Sequence, residues 1–199
     1  MFLTDNSNNR VTFAVAGQPK VYGTSDRNKG SFHFAVSRNG DILRLFVNGV
    51  MEKKATGWAG VQVGAPKNFL VGRNHKGREE QWRGHIDELR LTKGVGRYNS
   101  DANIPVPTTA LPRDTSDPNW NAVTYLAGFE TNLDDESPAA MGTPTIVEVP
   151  DIALSATAAS FGTNGLTVND NSFSRAYLDY GILDEVDFGL GDFTVDGFA

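Results

Sequence analysis

The chain has 199 residues, no cysteine and a net charge of −6. That length suits one domain or two small ones and is enough to bury a core without covalent staples. The lack of cysteine excludes disulfides and thiolate metal sites, and no apolar run approaches the ~20 residues of a membrane-spanning helix.

The opening MFLTDNSNNR lacks the basic and apolar regions of a signal peptide. Residues 1–112 carry 16 Lys and Arg against 9 Asp and Glu, whereas 113–199 carry 2 against 15. The basic charges are scattered and mixed with acids, which argues against nucleic acid as a partner. Two solvated faces would explain the asymmetry. So would attraction between the two parts, within one chain or between neighbouring copies.

The clearest elements lie at 31–50, SFHFAVSRNGDILRLFVNGV. Phe32, Phe34 and Val36 alternate with His33, Ala35 and Ser37, the pattern of a half-buried strand. Asn39-Gly40 and Asn48-Gly49 are two hairpin turns, because both residue types tolerate positive φ. An antiparallel meander is therefore expected. Short strands are expected at 61–63 and 69–72, then a polar loop at 73–81. Residues 82–92 form another strand whose alternation slips at Asp87-Glu88, the mark of a bulge. Residues 99–122, rich in Pro, Asp, Asn, Ser and Thr, have the composition of a linker or surface strap.

Beyond that stretch, strands are expected at 123–129, 145–149, 157–161, 174–180 and 192–198, with an acidic loop TNLDDESP between the first two. No segment reads as an amphipathic helix. Many short strands with abundant Gly predict an all-β fold of two packed antiparallel sheets.

The run Gly84-His85-Ile86-Asp87-Glu88-Leu89-Arg90-Leu91-Thr92-Lys93-Gly94-Val95-Gly96-Arg97-Tyr98, with the upstream FHFAVSRNGDILRLFVNGV, resembles the C-terminal part of LamG-like domains. These are jelly rolls of the concanavalin A-like lectin/glucanase superfamily. The resemblance is best to versions found in bacteriophage tail and fibre proteins. Tyr125 to Glu130, Phe161-Gly162 and Val186 to Val195 resemble the front of the same domain more loosely. The order is reversed, with the domain's rear at 1–112, a linker at 113–122 and its front at 123–199. Three arrangements are open: a circular permutant that closes its own sandwich, subunits that complete one another, and a fragment spanning two domains. Open sheet edges and an exposed apolar face would cost solubility, which favours the first two.

The resemblance implies a virion component, in contact with other virion proteins and its own copies as a homo-oligomer, without membrane insertion. It binds host glycans or receptors on a tail fibre, or serves as a structural or decorating protein. A degenerate glycosidase is the remaining rival. The laminarinase-like pattern Glu-x-Asp-x-x-Glu is nearest to Glu185-Val186-Asp187-Phe188-Gly189-Leu190, where Leu190 stands in place of a required carboxylate. No catalytic residue is therefore assigned, and no cofactor is expected apart from calcium. Asp134, Asp135 and Glu136 are hard oxygen donors and the candidate calcium ligands. Trp58, flanked by Gly57 and Gly60, is the candidate to stack on a sugar ring, with Arg73, Asn74 and His75 as polar neighbours. Trp82 reads as a core aromatic.

Overall fold

The computed structural model describes residues 2–5, 10–15, 17–25, 30–64, 68–72, 82, 84–140, 142–147, 151–168 and 176–199. Strands dominate: β1 (Phe2–Asp5), β2 (Val11–Ala14), β3 (Val21–Tyr22), β4 (His33–Asn39), β5 (Ile42–Val47), β6 (Val50–Ala55), β7 (Asn68–Val71) and β8 (Gly84–Lys93) come first. Then follow β9 (Val123–Ala127), β10 (Thr145–Val147), β11 (Ile152–Ser155), β12 (Gly165–Val168), β13 (Tyr177–Ile182) and β14 (Phe193–Phe198). The helical pieces among the described residues are single 3₁₀ turns.

The hairpins follow the turn chemistry. Asn48 and Gly49 sit at φ 46° and 77° between Val47 and its partner Val50, a two-residue turn with both centres left-handed. The first turn is displaced by one residue: Asn39 pairs with Ile42, so Gly40 and Asp41 form its centre. The slip at Asp87-Glu88 is a bulge. The β14–β8 register shifts between Asp196 and Phe198, and Glu88 takes φ 51°.

The main sheet runs β11-β12-β8-β14-β4-β5-β6, with every pairing antiparallel. The ten residues of β8 give one edge to β14 and share the other between β12 and β9. Two three-stranded sheets, β1-β2-β3 and β10-β13-β7, form the facing layer. Their residues Val11, Phe13, Val21, Val71, Leu178 and Tyr180 join one core with Phe34, Val36, Leu43, Leu45, Leu91 and Val195 of the main sheet. Ring contacts cross the layers, Phe13 to Phe193 at 5.8 Å and Phe69 to Tyr125 at 4.9 Å. The result is an all-β sandwich of packed antiparallel sheets.

β14 lies in the middle of the sheet, between β4 and β8. Strands from 123–199 therefore complete a sheet whose frame comes from 1–112. Charge joins them as well. Arg90 forks onto Asp196 at 3.0 and 2.6 Å and reaches Asp117 at 3.1 Å, Arg97 meets Asp117 at 2.9 Å, and the Tyr98 hydroxyl donates to Asp196 at 2.8 Å. Attraction between the basic and acidic parts thus operates inside one chain. Burial works to raise the Asp196 and Asp117 carboxyls, and their arginine partners overcome it, so both lie below the ordinary carboxylate range.

Several expectations are revised. The strands at 33–39 and 193–198 are buried on both faces. The stretch after β8 crosses the outer face of the sheet, laying Tyr98 edge-on to Phe46 at 5.9 Å and anchoring the backbone of Ile104 on Gly49. Residues 113–122 belong to that cover. Arg113 pairs with Glu88, Asp117 is buried, and Trp120 packs on Leu111, Val123 and Leu126. The strand expected at 157–161 is a 3₁₀ turn, Ala156–Ala158, because the Ser155 hydroxyl caps the Thr157 amide; the strand lies earlier, at β11. Residues 61–63 contribute only a bridge from Val63 to Gly189. Strands β1 to β3 and β12 lay outside the elements anticipated above.

Candidate functional site: a cleft at one end of the sheet

A cleft of about 400 Å³ opens where β14 ends and β8 begins. Ser31 and Phe32 form one wall, Thr157 to Ser160 the other, and Trp82, Gly84 and His85 the floor. The volume falls in the ordinary range of small-molecule sites, roughly 300–1,000 Å³. Trp82 is half-buried, packed against the core on one side and facing the cleft on the other. Its indole N–H donates to the His85 carbonyl at 3.1 Å, which fixes the ring's orientation. His85 is exposed, and its Nδ1 lies 3.2 Å from the Thr167 hydroxyl. The Ser31 and Ser160 hydroxyls meet at 3.2 Å and link the two walls.

One buried carboxylate anchors the 157–161 wall. Asp87 accepts the amides of Ser160 at 2.6 Å, Phe161 at 3.0 Å and Glu88 at 2.9 Å. Burial pushes its carboxyl up to about 6, against the pull of those amides. Behind the wall the Phe161 ring stands edge-on to Phe198 at 5.0 Å, and Phe198 packs on His33 at 5.1 Å. Burial drives the His33 imidazole below its ordinary range, Asp196 pulls it up, and Arg90 pushes it down.

The residues expected to bind sugar are arranged differently. Trp58 is only 5% exposed and packs on Phe13 at 5.8 Å, so it offers no stacking face. Its glycine-flanked loop is pulled inward. Asp41 accepts the Ala59 amide, and the Arg38 guanidinium, itself fully buried, takes the Val61, Gly189 and Gly191 carbonyls. Arg73, Asn74 and His75 lie outside the described residues. The candidate calcium ligands do not converge. Asp134 turns to Asn132 and Thr143, Asp135 to the Leu126 and Ser137 amides, and Glu136 to Arg113. Among the described residues no three His, Asp or Glu side chains form a metal cluster.

Glu185 sits in the 3₁₀ turn Asp184–Val186, and Asp187 caps the Gly189 amide. The carboxylate pattern of the glucanases therefore has no strand to align it, and Leu190 is exposed at the loop tip. Trp82 is what the sequence reading missed. The available signal was its place two residues ahead of Gly84, where the chain enters β8 at the sheet end and not at its centre.

Residues 1–95 match a laminin G family model described as the concanavalin A-like lectin/glucanases superfamily. That part of the chain is similar to a superfamily that includes both binding domains and glycosidases. No curated protein and no solved structure matches the chain.

Proposed function

We propose that this chain is a non-catalytic carbohydrate-binding module that takes a short saccharide in the Trp82 cleft. The observation that carries the reading is the oriented, half-buried Trp82 at the floor of a cleft walled by hydroxyls. An aromatic face fits the C–H side of a sugar ring, and serine, threonine and histidine groups fit its hydroxyls. The module works as part of a virion, on a tail fibre contacting the host surface, alongside other virion proteins and copies of itself. The support for that setting is the likeness of Gly84 to Tyr98 to fibre-protein versions of the domain. The reversed order of the two resemblances, together with β14 lying between β4 and β8, supports a circular permutant that closes its own sandwich.

A glycan array tests the reading. Wild type should bind a defined set of glycans, and Trp82→Ala should lose them while its circular dichroism shows the fold retained. An array blank for wild type would sink it. A structural role within the virion is the second reading, favoured by Leu190 and Ile182, which are 66% and 63% exposed. Recovery of virion proteins, with no glycan bound, would support that role.

A further inference from the structure

We propose that Asp87 is the positioning residue of the cleft and couples the closure of its 157–161 wall to pH. The proposal rests on the reading of the cleft as a binding site. Its geometric basis is the reach of a single side chain. Asp87 belongs to the floor strand β8, is 1% exposed, and holds two successive backbone amides of the opposite wall. Its other oxygen holds the amide of Glu88, inside the bulge. That bulge turns Asp87 toward the wall and sends Glu88 the other way, to Arg113 and the Leu111 amide.

The surroundings supply no cation bonded to Asp87 among the described residues. On its own strand the titratable or charged neighbours are His85, whose Nδ1 meets the Thr167 hydroxyl, Glu88, committed to Arg113, and Arg90, committed to Asp196 and Asp117. Across the sheet, β14 places Phe198 opposite Asp87 and Asp196 two residues away, and β4 places His33 beyond Phe198. The wall, residues 156–163, and β12 contain no titratable side chain. Among the described residues, the carboxylate that the closed wall buries is bonded to backbone amides alone.

The sign follows from linkage. With the wall closed, burial holds the Asp87 carboxyl at about 6, above the ordinary 3.8 it would regain once solvated. Protonation favours the state with the higher value, so closure is favoured as pH falls through about 6 and is opposed above it. Between pH 8 and pH 5 those two values give about a tenfold gain in closure. His33 acts in the opposite sense, because burial lowers its value and protonation disfavours the packed His33–Phe198–Phe161 stack. Comparison with Asp87→Asn, which keeps His33 and removes the carboxylate, separates the two.

Amide hydrogen exchange at Ser160 and Phe161 is the test, read from pH 8 to pH 5 and corrected for intrinsic exchange. Protection in wild type relative to Asp87→Asn should rise about tenfold over that range, with β5 amides unaffected. Parallel profiles for the two proteins would overturn the proposal. In wild type alone, the Asp87 carboxyl carbon should titrate near 6, and an inflection at or below 4 would overturn it even if the variant fails to fold. Neither readout involves a sugar. Intact gating in a protein that binds no glycan refutes only the binding reading, and glycan binding with parallel profiles refutes only the gating.

Discussion

The Arg90–Asp196 pair makes the sharpest energetic prediction. Asp196 is fully buried on β14 and accepts three charge-assisted or hydroxyl hydrogen bonds, from Arg90 Nε, Arg90 Nη2 and the Tyr98 hydroxyl. Asp196→Ala removes all three hydrogen bonds and leaves Arg90, 5% exposed, with Asp117 at 3.1 Å as its remaining partner. Breaking a buried pair from one side strands a charge away from water and costs roughly 3–5 kcal/mol. That is a large part of the ~5–15 kcal/mol of a typical domain. Urea unfolding at pH 7 reads the loss as a lower midpoint with an unchanged slope. Arg90→Met should cost a similar amount. The double variant Arg90→Met/Asp196→Val should cost far less than the sum, with a coupling of roughly 2–3 kcal/mol. A loss below about 1 kcal/mol for Asp196→Ala, or additive losses, would refute the view that this pair binds β14 to β8.

Acid should act through the same groups. Asp196 and Asp117 are held below the ordinary carboxylate range, so their stabilisation is complete above about pH 4 and lost as pH falls through their folded values; urea midpoints from pH 7 to 2.5 would show it, and Asp196→Asn should flatten the fall. Gly49→Ala should destabilise by more than the roughly 1–2 kcal/mol of a left-handed residue, since its φ is 77° and a Cβ would lie 2.4 Å from the Ile104 carbonyl oxygen. A thermal shift of only a degree or so would contradict that contact. Arg113→Ala strips the buried Glu88 carboxylate of its cation and should cost about 1–2 kcal/mol, less than a fully buried pair because Arg113 is 30% exposed.

The period-2 pattern and the two Asn-Gly turns made the β4-β5-β6 meander legible, because those signals are local. The bulge at Asp87-Glu88 was legible for the same reason. The burial of the outer face was not. Ser37, on the polar side of a strand expected to be half-buried, is buried together with Thr92, Thr194 and Asp196 because the stretch after β8 lies over them. Alternation records which residues differ, and not whether water or protein covers the polar side. Trp58 failed on similar grounds. Glycine neighbours signalled a loop, but Arg38, twenty residues upstream, holds that loop against the core through the Val61 carbonyl. β12 pairs with β8 across about eighty residues, and the cleft is built from four separated segments, so neither leaves a mark at any one place in the sequence.

Tryptophan fluorescence tests the proposed contact of Trp82 with a saccharide directly. Trp58, Trp82 and Trp120 are the tryptophans of the chain. A Trp58→Phe/Trp120→Phe protein therefore reports Trp82 alone. Titrating it with the glycan that wild type binds best should shift the Trp82 emission saturably and protect it from acrylamide quenching. A glycan that binds while leaving Trp82 emission and quenching unchanged would contradict the account.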